Sequence, residues 1–204
     1  MGTSKPLLAP EGRSFLERTV GTLMDGGCGQ VLVGVRPGDD AVAREATRVG
    51  AHVLFPERVE DGPIATIRAT LGRLGSTPPD PTIVVLPVDH PAVAPDTVRR
   101  LVAALAEAPP AVEIAVPRVG PHRGHPALFR GAALRELVRP ELEGGARTVV
   151  RRDPGRVLEV EVSDPGVLAN VDTPEALARV FAPGTASPGP ETPGAPHSPD
   201  TPDA

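Results

Sequence analysis

Apolar and polar positions along the chain switch between two periods. Short apolar runs at Gln30–Val35, His52–Phe55, Thr82–Val88, Val112–Val116 and Val157–Val162 predict strands. Around them, Leu, Val and Ala recur at helical spacing in Ser14–Gly26, Asp39–Val49, Pro63–Leu74, Pro95–Ala106, Ala132–Val138 and Thr173–Val180. In Pro95–Ala106 the residues Val98, Leu101, Val102 and Leu105 share one face, with Arg99 and Arg100 off it. Helix starts are expected at Asp96 and at Thr173, the latter with Pro174 at the first helical position. Strands alternating with helices predict an α/β fold, a Rossmann-like three-layer α/β/α arrangement with a mostly parallel sheet covered on both faces. The run TIVVLPV is nearly all apolar, as a strand buried on both sides requires. Ligands in such sheets bind beyond the carboxyl ends of the strands, which puts Asp89 and His90 at the functional rim.

Composition narrows the function classes. About 40% of residues are hydrophobic, there is no Trp or Tyr, and there are only four Phe. So few aromatics argue against base stacking on single-stranded nucleic acid. The formal net charge of -5 gives no general attraction to a phosphate backbone, so no nucleic-acid partner is expected. No run has the length of a membrane span and the start lacks a secretory apolar region, which points to a cytoplasmic protein without a membrane partner. Cys28, the single cysteine, has no internal disulfide partner and reads as a small residue in a turn. From Pro183 the chain is rich in Pro, Gly, Ser and Thr, so the expected division is a domain over 1–182 and a disordered tail over 183–204.

Several constellations can carry chemistry. In Leu86-Pro87-Val88-Asp89-His90-Pro91 a carboxylate ends the most apolar strand; it either holds Mg²⁺ or caps its own turn. Asp172, in Asn170-Val171-Asp172-Thr173-Pro174-Glu175, is either a helix-start residue or a second ligand to the same ion. Two carboxylates converging on one metal suit phosphoryl or nucleotidyl transfer, where positioning and charge neutralisation dominate. Lys5 can reach a triphosphate or stand solvated. Gly62-Pro63 opens a helix whose free N–H groups suit an anion or a base edge, and is also plain punctuation. Val119–Phe129 sets His122, Arg123 and His125 in a Gly/Pro loop that reads as substrate-facing, with Arg147 a weaker candidate of the same type. Its spacing does not suit zinc.

These pieces, in this order, resemble the MobA-like nucleotidyltransferases, and within them the molybdenum cofactor cytidylyltransferases. MGTSKPLL is similar to the family's R-M-G-x-x-K-x-L-L segment from the Met onward, EDGPIATIRA to its base-recognition turn, and LPVDHP to its strand-end Asp motif. RGHPALF resembles G-H-P-x-L-F, GARTVV the G-A-R segment, and GVLANVDTPEAL the closing G-V-L-x-D-I-D-T-P-E-D-L. The resemblance runs over about Met1 to Phe181 and implies the nucleotide-diphospho-sugar transferase type of fold. It also implies catalytic roles for Lys5 and Asp89, nucleotide binding by Gly2, Lys5, Gly62 and Pro63, Mg²⁺ held by Asp89 and Asp172, and an acceptor facing Arg123 and His125. The implied reaction is transfer of CMP or GMP from CTP or GTP to a phosphorylated small molecule such as molybdopterin, with release of pyrophosphate.

Two departures qualify this. The family's first strand and its L-A-A-G-x-S-x-R loop have no counterpart here, so an N-terminally truncated enzyme with its first strand missing is expected. Asn170 replaces an acid ahead of Asp172. The alternative is a non-catalytic partner or regulatory domain that lacks the phosphate loop; a sugar-phosphate nucleotidyltransferase would share the chemistry but usually needs a longer chain.

Overall fold

The structure is a computed structural model that describes residues 4–58, 62–74, 81–139, 142 and 144–181. Gly2, part of the turn ahead of Gly62, and the tail from Pro183 lie outside the described residues. Seven strands are described: β1 (Leu32–Gly34), β2 (His52–Leu54), β3 (Ile83–Val85), β4 (Ile114–Val119), β5 (His122–Arg123), β6 (Ala127–Phe129) and β7 (Val157–Glu161). The helices are α1 (Phe15–Asp25), α2 (Asp40–Arg48), α3 (Pro63–Leu74), α4 (Pro95–Glu107), α5 (Gly131–Leu137), α6 (Ala146–Arg152) and α7 (Pro174–Val180).

The described strands form two sheets, β1–β2 and a five-stranded one of β3 to β7, and the pairing is less parallel than the strand–helix alternation suggests. β1 pairs with β2 in parallel, and β4 with β7 in parallel. β6, however, lies between β3 and β4 and runs antiparallel to both, while β5 hairpins back on β4. Both β5 and β6 fall in the stretch expected to be a loop. Three residues after Pro126 are too short to show a period, yet all three are buried.

Layering follows from the two-residue period of the strands. Ile83, Val85, Ile114, Val116, Ala127 and Phe129 pack toward α3, α5 and α6. Their neighbours Val84, Ala115 and Leu128 pack toward Leu101 and Leu105 of α4. A third cluster joins Leu16 and Val20 of α1 to Val42 and Ala46 of α2 over Val31, Val33 and Val35.

Two helix starts are completed by acids distant in sequence. Asp96 does not begin α4: Ala94 precedes it, and the Asp164 carboxylate accepts from Ala94 N (2.9 Å) and Thr97 Oγ1 (2.6 Å). Likewise Glu113 accepts from Ala132 N (2.7 Å) and Ala133 N (3.0 Å), satisfying two free donors of α5. Thr173 caps α7 as expected, accepting from Ala176 N at 3.2 Å. Helix α6 was not foreseen; Gly145, at φ 67°, precedes it.

Phe129 is fully buried and registers against Ile83 on one side and Ile114 on the other. Phe129→Ala is expected to cost about 3–5 kcal/mol in urea unfolding, against less than about 1 kcal/mol for Val102→Ala on the exposed side of α4.

Candidate active site

The site begins where β3 runs out. Pro87 O accepts from His90 N at 3.1 Å, closing a turn that presents Asp89. Val171 N then donates to Asp89 O at 2.8 Å, which pins the segment before α7 to this turn and brings Asp172 to the same rim. A third segment joins through His125 N, which donates to Val167 O at 2.9 Å. Two glycines permit this close stacking of backbones. A Cβ at Gly166 would lie 2.1 Å from Ala92 O, and one at Gly124 would lie 2.4 Å from Val167 O.

Charge is arranged around that junction. The Lys5 ammonium, on a 3-10 turn spanning Lys5–Leu7, pairs with the Asp172 carboxylate. The hydrogen bond from Lys5 holds Asp172 below the usual carboxylate range. The nearby Asn170 side chain acts in the same direction on Asp172, so the neutral residue that stands for an acid still favours its charged form. Oδ1 of Asp89 is buried and has no hydrogen-bond partner. An ionisable oxygen in that state carries a desolvation cost that a cation or donor would remove.

Behind Asp89 lie two imidazoles. The His90 and His125 rings are 4.6 Å apart, and Nδ1 of each is buried without a partner. Burial pushes His90 below the ordinary histidine range, opposed by the Asp89 charge. His125 is pushed down to about 4, first by burial and then by His90, with Asp89 opposing. Sequence reasoning singled out His125 but gave His90 no role of its own; nothing local in D-H-P announces a partner 35 positions away.

The remaining candidates fall around this centre. Gly62, at φ 63°, takes a left-handed conformation that glycine adopts freely, and Pro63 opens α3. Arg147 is close enough to His125 to lower its pKa. Arg123 is engaged elsewhere: its guanidinium, on β5, bonds the Glu159 carboxylate on β7, with Nε at 2.9 Å. Cys28 is half-buried in a cleft between β1 and β3, and burial raises its thiol pKa. Among the described residues no group of three His, Cys, Asp or Glu is placed to hold a metal without other ligands. None of their helices is long and apolar enough to cross a membrane.

The model of the MobA-like NTP transferase domain matches residues 1–157. The chain belongs to that family. It is thus a nucleotidyltransferase-family enzyme of the NTP-dependent type. Rv0371c from Mycobacterium tuberculosis H37Rv is 31% identical, with a TM-score of 0.70 over 89% of this chain and 90% of that one. A manganese complex of the same protein aligns with a TM-score of 0.68 at 28% identity, over 87% of this chain and 90% of that one. Nicotine blue oxidoreductase of Paenarthrobacter nicotinovorans is 29% identical over 185 residues, 87% of each chain. A nucleotidyl transferase from Methanothermobacter thermautotroptrophicus, at 22% identity and TM-score 0.70 over 88% of this chain and 84% of that one, shares the fold. These relatives support the family without singling out its molybdenum cofactor cytidylyltransferases.

The depressed His125 pKa has a defined consequence for stability. Its ordinary value is about 6.5. As pH falls the unfolded chain takes up this proton first, so the contribution is complete above about pH 6.5 and is lost as pH drops toward 4. Urea midpoints at pH 7.5 and pH 5 should therefore fall further for the wild type than for His125→Asn.

Proposed function

We propose that the protein transfers CMP or GMP from CTP or GTP to a phosphorylated small molecule such as molybdopterin, releasing pyrophosphate. The observation that carries this reading is the partnerless Asp89 oxygen beside the Lys5–Asp172 pair. Two carboxylates of this kind fit Mg²⁺, which takes one or two carboxylates and completes its shell with phosphate oxygens and water. The manganese complex of the 28%-identical relative supports a divalent ion in general. When bound, such an ion supplies charge neutralisation at the transferring phosphate.

The chain's own residues have separable tasks in this reading. Asp89 and Asp172 would hold the ion. Lys5 would neutralise triphosphate oxygens, giving up its pairing with Asp172 to do so. Gly2, Gly62 and Pro63 contribute to nucleotide binding. Arg123 and His125 face the acceptor, with the Arg123 guanidinium giving up Glu159 to do so. An acceptor phosphate oxygen bonds to the α-phosphorus, the bond from that phosphorus to the bridging oxygen breaks, and pyrophosphate leaves. No protein nucleophile is needed.

Family membership as an enzyme counts against the reading as a non-catalytic partner. Incubation of the purified protein with CTP or GTP, Mg²⁺ and candidate acceptors tests the proposal through pyrophosphate release. Asp89→Asn should lower that release by about a hundredfold or more, the loss of several kcal/mol of charge stabilisation. Lys5→Ala should chiefly raise KM for the nucleotide. Undiminished release from Asp89→Asn would refute the metal assignment.

A further inference from the structure

His90 has no task in the transfer chemistry, yet it lies directly behind the residues that do. It is 7% exposed, whereas His125 is only half-buried. Three backbone segments close around it. Its own N–H donates to Pro87 O at 3.1 Å, in the turn that presents Asp89. The segment Asp164–Val167 presses on that turn where Gly166 meets Ala92, and the Gly166 backbone favours the charged form of the His90 ring. The loop carrying His125 joins the same segment, with His125 N donating to Val167 O. A polar ring in such a place has a cost, because Nδ1 of His90 is buried without a partner, and an apolar side chain of similar shape would avoid it.

His125 lacks what His90 has. Its backbone is pinned, but its Nδ1 has no partner to fix the ring, and Gly124 ahead of it offers no side chain to pack against. Arg147 is felt by it as a charge. The ring does meet the His90 ring, with centroids 4.6 Å apart and planes inclined at 56°, a tilted contact of the kind in which aromatic pairs attract. Burial disfavours the charged form of each, so the contact is one of neutral rings.

We propose that His90 is a positioning residue: its imidazole is the fixed surface against which the His125 ring is held, and it thereby sets the direction in which His125 meets the acceptor. This role rests on the transferase reading for what His125 does, and on the ring geometry for how His125 is held. His90 itself touches neither nucleotide nor acceptor. A functional side chain is productive when packing behind it locks its rotamer, and a misplacement of about 1 Å costs on the order of a hundredfold in rate. The contact also ties the acceptor side of the site to the metal side, since His90 shares its turn with Asp89.

Two readouts on the full chain test this. There are five histidines, so the His125 ring is assigned in a histidine-labelled NMR spectrum as the signal lost in His125→Asn. The order parameter of its ring C–H bonds, in the protein without ligands, should be about 0.8 in the wild type and below about 0.6 in His90→Ala. His90→Phe, which keeps a flat face and no nitrogen, should stay close to the wild type. In pyrophosphate release with molybdopterin as acceptor, His90→Ala should raise KM for molybdopterin about tenfold or more, and His90→Phe should restore it to within about threefold. KM for the nucleotide should stay within about twofold throughout, and His90→Ala should add nothing in a His125→Asn background. Should His90→Ala fail to fold, His90→Leu, which fills the space without a flat face, takes its place with the same expectations. An unchanged order parameter in that variant overturns the proposal. So does a rise in KM for the nucleotide equal to that for molybdopterin, or a His90→Phe variant that restores neither readout. A wild type that releases no pyrophosphate counts against the transferase reading instead, and the ring order parameter then still decides whether His90 holds His125.

Discussion

The backbone hydrogen bond from Val171 N to Asp89 O, at 2.8 Å, joins the two turns that carry the carboxylates of the candidate site. It fixes the distance between two turns that are more than 80 positions apart in sequence, and it does so without engaging either carboxylate. The carboxylates are left to meet cations. Asp172 meets Lys5, and one oxygen of Asp89 meets nothing. The contact depends in turn on how closely neighbouring backbones approach. Gly166 against Ala92 and Gly124 against Val167 leave no room for a side chain, so either glycine replaced by alanine would push the segments apart.

The scaffold beneath is organised by the same device of remote partners. Asp164 completes the start of α4 and Glu113 completes the start of α5, each from a different part of the chain. Asp164 is two residues from Gly166, so the group that fixes α4 also fixes the turn pressed against Ala92. The helix layer and the rim are thereby coupled through one short segment, Asp164–Val167. The network of Arg156 with Glu136 and Glu113 plays a comparable part, joining the turn ahead of β7 to α5 and raising the Arg156 pKa through its Glu136 hydrogen bonds.

Much of this was legible in the sequence, for reasons that differ by element. Helix α3 matches its expected bounds because Pro63 fixes its start and apolar spacing runs unbroken to Leu74. The strands were located by their apolar runs, but their direction was not, since direction follows from connections rather than composition. β6 escaped because three residues cannot show a period, and its antiparallel insertion between β3 and β4 is set by packing on both faces. Asp89, Asp172 and His125 were singled out because they follow apolar runs or sit in a Gly/Pro loop, and Lys5 through the family resemblance; the structure pairs Lys5 with Asp172 and sets His125 beside His90. His90 as a partner of His125, and Asp164 as a cap, were not visible, because both act across the fold.

The measurement that bears most directly on the central claim is calorimetric titration of CTP and of GTP into the protein, each with and without Mg²⁺. An ion held between Asp89, Asp172 and nucleotide phosphates predicts that one of the two nucleotides binds in a strongly Mg²⁺-dependent manner. Binding of equal strength without the metal, or no binding of either nucleotide by the folded protein, would contradict that account.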